Sequence, residues 1–353
     1  MFSSILALSQ RSIGADLFIG KVLEHKEGLL FEIPPISIGG NIWVNHQLDG
    51  SKAWHHYWGN PRVEGLLTFM NYGNNEVLGQ GIAMAPGFVF NLKRWNKSTL
   101  LFHYATGIAY LTKPFDPVTN VTNNAIGSHV NNISRLKLSW ERPICSNIDL
   151  SIGLSFNHFS NGLTSSPNSG VNTYGLNVGL KRHIGSKIEM QERPDFIRPR
   201  KVGLVAMTGI GVSEHSNFGG PNFPVYFTNA GVYWRFADFQ RLHIGAEYEF
   251  STKVYEFERS VFNTEVNARN KARRTIIYIA EELMFGPVSM RFQLGFYTRY
   301  KSDYNGDPFY IKIMTLYHPP IKPLGNVKPF VGIMLKTHFA VAEYIALTTG
   351  VSF

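Results

Sequence analysis

Two side chains in the stretch Ser151–Ser160 have the types and spacing for nucleophilic chemistry. One face carries Ile152, Leu154, Phe156, His158 and Ser160; the other carries Ser151, Gly153, Ser155 and Asn157. Residues i and i+2 of a strand project side by side, which brings the His158 imidazole within reach of the Ser160 hydroxyl. A serine hydroxyl is a weak nucleophile until a neighbouring base takes its proton. Histidine titrates in the range needed to take that proton and return it to a leaving alcohol. A third group has to hold the ring in one tautomer. The next apolar face, Asn172, Tyr174, Leu176, Val178 and Leu180, starts with an amide pointing the same way. If the hairpin closed by residues 161–171 opposes Ser160 to Asn172, His158 lies on the diagonal to Asn172, within side-chain reach.

The elements that must position this pair are strands, because period-two alternation dominates the chain and helical periodicity is almost absent. Leu242, Ile244, Ala246, Tyr248 and Phe250 alternate with Arg241, His243, Gly245, Glu247 and Glu249, and Met290, Phe292, Leu294 and Phe296 with Ser289, Arg291, Gln293 and Gly295. Leu136, Leu138 and Trp140, and Ala230, Val232, Trp234 and Phe236, repeat the pattern. Turn-rich stretches between the runs are by turns short (237–239, 285–287) and long (113–129, 214–223, 253–270). A transmembrane barrel has this rhythm, with tight turns at one end and longer loops at the other. The expectation is an all-β antiparallel transmembrane barrel of about fourteen strands, within a range of twelve to sixteen, those between residues 28 and 71 being weakly marked. If the apolar faces meet lipid, His158 and Ser160 meet it too, near the end of their strand, where polar groups call for a reason.

The end of the chain supports a barrel of the outer membrane. Ile345, Leu347, Thr349, Val351 and Phe353 alternate with Tyr344, Ala346, Thr348, Gly350 and Ser352, and the last residue is aromatic. This looks like the terminal strand by which such barrels are recognised for assembly. The charged stretch 185–201, with Pro194 and Pro199, is a linker or long loop. A single barrel over 11–353 is expected, with 11–185 carrying the site and 186–353 adding strands, because the later half alone has the assembly-like strand at 343–353.

Composition narrows the class. Charged residues make up 17% of the 353 and aromatic residues 14%, which argues against disorder. With a mean hydropathy of -0.09 and no apolar run near the length of a membrane helix, helical membrane proteins are excluded. Lysine and arginine number 34 against 25 acids, a net charge of +9, which suits an anionic partner such as a phosphorylated lipid or membrane surface. No block of like charges singles out nucleic acid. Cys145 stands alone, so there is neither an internal disulfide nor a zinc spacing. Residues 1–10, MFSSILALSQ, with the Ala7-Leu8-Ser9 triplet, read either as the remnant of a secretory signal or as a frayed terminus. His55 and His56, adjacent between Trp54 and Trp58, fall on opposite faces of a strand and suggest an interfacial aromatic patch rather than a metal site. Asn120, Asn123, Asn124 and Asn131 suggest turn chemistry, and the turn of Trp95 and Lys97 an interface anchor.

At His158–Asn172 the residues HFSNGLTSSPNSGVN resemble the active-site segment of the outer-membrane lipid A 3-O-deacylases, also grouped with acyloxyacyl hydrolases. That segment runs His-x-Ser-Asn, then Pro-Asn-x-Gly, then an acidic residue. The resemblance implies an eight-stranded barrel esterase whose site lies on the outer wall near the external leaflet, removing an ester-linked acyl chain from lipid A. It makes Ser160 the nucleophile and His158 the base. Asn161, with the backbone N–H of Gly162, would form the oxyanion hole, Asn168 would support the loop, and Asn172 would stand in the place of the acid. No metal or organic cofactor is implied. The partners implied are lipopolysaccharide and the membrane, not nucleic acid, and a homodimer is left open. Two features depart from the pattern. Asn172 can orient a neutral ring but cannot stabilise imidazolium by charge, and the resemblance spans Ser12 to about Gly185, leaving the later half without a counterpart in the compact members. The alternative is a non-enzymatic outer-membrane barrel, a porin or structural protein, with an inert His and Ser pair. A soluble sandwich or lectin-like module is the third reading, and phospholipid remains open as the substrate of an esterase.

Overall fold

The computed structural model describes residues 10–24, 28–186, 188–194, 201–214, 220–262, 265–298, 308–321, 326–339 and 341–353. The signal remnant expected at 1–10 lies outside the described residues apart from Gln10, as do residues 187 and 195–200 of the expected linker.

The chain forms two closed antiparallel barrels of eight strands each, where one barrel of about fourteen was expected. The first comprises β1 (Arg11–Leu23), β2 (Ser37–Gln47), β3 (Arg62–Asn71), β4 (Gln80–Arg94), β5 (Thr99–Leu111), β6 (Val130–Pro143), β7 (Ile148–Ser160) and β8 (Val171–Ile184), with a short helix α1 (Ala53–Tyr57) between β2 and β3. It closes because β8 pairs with β1 along its whole length, from Arg11 opposite Ile184 to Leu23 opposite Asn172. No edge is left on β8 for a ninth strand. The second barrel comprises β9 (Val202–Glu214), β10 (Asn222–Ala237), β11 (Gln240–Ser251), β12 (Arg273–Phe285), β13 (Val288–Tyr297), β14 (Phe309–Tyr317), β15 (Lys328–His338) and β16 (Val341–Ser352). There β16 closes onto β9, and the Phe353 N–H donates to Leu204 O at 2.9 Å. The two barrels are the centres of two compact units, residues 162–166 grouping with the second.

Both barrels are inside out relative to a soluble protein. Leu17, Met84, Ile108 and Leu154 are 63–70% exposed, while Asp16, Arg135, Lys137 and Glu141 on the alternate faces are buried. The polar faces survive burial by pairing. In the first barrel Asp16 accepts from Lys137 (2.7 Å), Asn41 (2.6 Å) and Asn177 (2.8 Å). In the second, Glu249 accepts from Lys336 (2.7 Å), Arg274 (3.0 Å) and Tyr344 (2.6 Å). A sandwich would bury the apolar faces instead, so the soluble reading fails. An eight-stranded closure leaves an interior that side chains fill. The porin alternative, which needs additional strands around a channel, fits neither barrel.

Helices stand where strand or loop was expected. His55 and His56 lie in α1, not on a strand, and Trp54 and Trp58 pack on Phe88 and Phe90 with ring centroids 6.3 and 5.7 Å apart. The expected loop 253–270 contains α2 (Thr252–Phe262) and α3 (Glu265–Ala272). The asparagine cluster performs turn chemistry as expected: Asn123 Nδ2 donates to Lys113 O (2.6 Å) and Val77 O (3.0 Å), and Asn124 Nδ2 to Gly28 O (2.7 Å). Together these bonds tie the loops at one end of the first barrel.

Candidate active site

The ladder between β7 and β8 sets the site's geometry. His158 stands directly opposite Asn172, and the ladder ends at Phe159 opposite Val171. The expected register, Ser160 opposite Asn172, is therefore displaced by two residues, and the imidazole gains the amide as its immediate neighbour. His158 Nδ1 lies 2.6 Å from Asn172 Oδ1, and His158 Nε2 lies 3.1 Å from Ser160 Oγ. The amide oxygen can only accept, so Nδ1 carries the proton and Nε2 is left to accept from the Ser160 hydroxyl. The Ser160 hydroxyl, the His158 ring and the Asn172 amide thus follow one another in hydrogen-bonding order. His158 and Ser160 are half-buried on the outward face, on the same side of β7 as Leu154, while Asn172 is 6% exposed.

The loop beyond β7 is built around the pair. The Asn161 N–H donates to Asn168 Oδ1 (3.0 Å), and Asn161 Nδ2 donates to Ser128 Oγ (3.0 Å). Gly162 follows with φ 66°. Gly170 has φ 81°, and a Cβ there would stand 3.0 Å from His158 Cε1. Glycine is required both by the left-handed backbone and by the ring's close approach. The Gly170 N–H donates to Ala125 O (2.8 Å), and Asn123 Oδ1 accepts from the N–H groups of Ala125 and Ile126 (3.2 Å each). The asparagine cluster thereby braces the glycine on which the imidazole rests.

Three further polar residues share this wall. Asn132 is opposite Ser160, Ser134 is opposite His158, and Thr106 of β5 is opposite Ser134. Asn132 Nδ2 donates to Thr106 Oγ1 (3.0 Å) and Gly107 O (2.9 Å), and Ser134 Oγ donates to Asn132 Oδ1 (2.9 Å). Extending the alternation of Leu136 and Leu138 upstream, to Ser134 and Asn132, was the signal that could have found the two on β6. Among the described residues, no cluster of His, Cys, Asp and Glu is arranged to hold a metal.

Fold and site define the class first: an outer-membrane β-barrel protein whose candidate chemistry faces lipid instead of a lumen. The family model "Lipid A 3-O-deacylase (PagL)" matches residues 38–181, and "Acyloxyacyl hydrolase, C-terminal domain" matches residues 202–353. The earlier half thus matches a lipid A 3-O-deacylase domain and the later half an acyloxyacyl hydrolase C-terminal domain, and together they mark the chain as an outer-membrane lipid A deacylase. The later half, without a counterpart in the compact members, matches a domain of its own in the acyloxyacyl hydrolases. Among solved structures, Neisserial surface protein A is 9% identical with a TM-score of 0.35, the match covering 49% of this chain and 96% of that one. The outer membrane enzyme PagL is 16% identical with a TM-score of 0.32, covering 49% and 99%. CdiB from Acinetobacter baumannii is 9% identical with a TM-score of 0.20, covering 99% and 60%. No curated protein matches the sequence.

Proposed function

We propose that the protein removes an ester-linked acyl chain from lipid A by serine catalysis on the outer wall of the first barrel. The observation that carries this reading is the relay from Asn172 through His158 to Ser160, at 2.6 and 3.1 Å, on an outward face. Ser160 Oγ attacks the ester carbonyl carbon while His158 Nε2 takes its proton. The oxyanion is stabilised by Asn161, in the role that the family pattern assigns it, and by the Gly162 N–H. On collapse the bond to the leaving alcohol breaks and His158 returns the proton to that oxygen. Water then attacks the acyl-enzyme, with His158 again as base, freeing the fatty acid and Ser160. Substrate tails lie against Leu154 and its outward neighbours, so the lipid reaches the dyad from within its own leaflet.

The test is mass spectrometry of lipid A from a host expressing the wild-type chain, Ser160→Ala or His158→Ala at matched abundance of folded barrel. Loss of one acyl mass in the wild type alone supports the reading. Unchanged lipid A in all three leaves an inert barrel.

A further inference from the structure

Asn132, Ser134 and Thr106 are not explained by the dyad. The outward face of β5 and β6 is otherwise apolar around them, with Phe102, Ile108, Leu136 and Leu138 on it. Polar groups facing lipid are costly unless satisfied, and these three stand beside the nucleophile, across one and two strand spacings.

Their hydrogen-bond inventory has a definite polarity. Both amide hydrogens of Asn132 are engaged, by Thr106 Oγ1 and Gly107 O, and the Ser134 hydroxyl hydrogen is engaged by Asn132 Oδ1. Thr106 Oγ1 lies 3.4 Å from Ser134 Oγ and takes up at most one of its lone pairs. What the pair on β6 has left is acceptor capacity: a lone pair on Asn132 Oδ1 and one on Ser134 Oγ. The matching ligand group is a hydrogen-bond donor. Strands are about 4.8 Å apart, and packed hydrocarbon chains touch at about 4–4.5 Å between carbons. When one acyl chain of a lipid has its carbonyl at Ser160, the linkage of the adjacent chain therefore falls over a neighbouring strand, β8 or β6, and β6 is the one that presents this pair of acceptors.

We propose that Asn132 and Ser134, braced by Thr106, form a subsite for the N–H of an amide-linked acyl chain next to the chain being cut. The enzyme then selects a glycolipid with an amide-linked neighbour over a lipid whose neighbour is ester-linked. An ester oxygen in that place offers lone pairs to lone pairs and leaves both acceptors unsatisfied in a lipid setting. This inference rests on the Ser160 reading above.

The experiment uses the full chain in detergent micelles and two synthetic diacyl sugar lipids that differ only in the uncut neighbour, N-linked to an aminosugar in one and O-linked to the corresponding hydroxyl sugar in the other. The wild type is expected to prefer the N-linked lipid in kcat/KM. Asn132→Leu and Ser134→Ala should each lower that preference about 3- to 10-fold, the worth of one hydrogen bond, and Ser134→Thr, which keeps the acceptor, should retain it. Equal losses on both lipids would mean a purely structural cluster and overturn the proposal. A second arm reads binding without turnover: lipid retained by the Ser160→Ala chain, measured by mass spectrometry with and without Asn132→Leu. If the wild type cleaves neither lipid, yet the Ser160→Ala chain retains the N-linked lipid in an Asn132-dependent way, the catalytic reading falls and the subsite stands. Equal retention of both lipids overturns the subsite.

Discussion

Replacing Asn172 by aspartate tests the third member of the relay with almost no change of shape. The side chains are isosteric, so a carboxylate oxygen takes the place of Oδ1, 2.6 Å from His158 Nδ1. A neutral hydrogen bond contributes about 0.5–1.5 kcal/mol net, and one to a charged group about 1.5–3 kcal/mol. The difference, about 1–1.5 kcal/mol, is realised as the imidazole becomes imidazolium in the transition state. It corresponds to about a tenfold rise in kcat. Burial opposes this gain, since Asn172 is 6% exposed, but the imidazolium that forms is the charge that compensates it. Asn172→Leu works in the other direction. It removes the bond and leaves the Nδ1 proton unsatisfied, for a loss of about one to two powers of ten. Initial rates of fatty-acid release from lipid A in micelles read both variants, with heat-dependent gel mobility as the check on barrel closure. Folded Asn172→Asp and Asn172→Leu chains that both match the wild-type rate would remove Asn172 from the mechanism.

Other perturbations separate positioning from stability. Gly170→Ala should fold but lose about 10- to 100-fold in kcat, because the new Cβ meets His158 Cε1 at 3.0 Å and misplaces the ring; an unchanged kcat would mean that the glycine is required only by the turn. Asp16→Leu strands the buried Lys137 ammonium and should cost about 3–5 kcal/mol in urea unfolding, with much of it recovered in Asp16→Leu/Lys137→Met; no recovery would locate the loss in shape. In α1, burial holds the His55 imidazole below its ordinary value against the raising pull of Asp49, and Nδ1 accepts the Gly50 N–H at 3.2 Å. The unfolded segment therefore binds the proton first, and the contribution is full above about pH 6.5 and lost as the pH falls through the folded value. Fluorescence of Trp54 and Trp58 on acidification should report this loosening, and His55→Gln should abolish its pH dependence.

Some of this architecture was legible because strand faces with different surroundings leave a period-two record. Arg241–Phe250 and Ser289–Phe296 show it plainly, and β11 and β13 contain them. β2 was obscure because Gly40 interrupts its apolar face of Ile38, Ile42 and Val44, and the apolar Trp43 stands on the opposite face. Closure was not legible at all. Leu176, Val178 and Leu180 alternate identically whether β8 pairs with β1 or with a ninth strand, so the sequence could not divide sixteen strands into two barrels. The helices α2 and α3 were missed because a charged stretch between strands carries no period-two signal to mark an element inside it.

The candidate site divides along the same physical line. The proximity of His158 to Ser160 was legible because i, i+2 spacing is local to one strand. The cross-strand partner was found, but its register was not: the ten residues from Asn161 to Gly170 are too many for turn geometry to dictate pairing. Thr106, Asn132 and Ser134 come to the site only through the ladders of β5 with β6 and β6 with β7. Their grouping also has a physical logic. A hydrolase acting from a membrane wall needs tails packed on apolar side chains and water for the acyl-enzyme. Both meet near the end of a strand, and Ser160 is the last residue of β7. Deeper in the wall the same polar groups would cost more than their hydrogen bonds return, and beyond it there is no apolar surface to hold the chain. The polar interior carries no such restriction, since its charges are paired with one another, across the interior as in Lys137 with Asp16 and between neighbouring strands as in Arg274 with Glu249, and this leaves the outer surface to carry the candidate site.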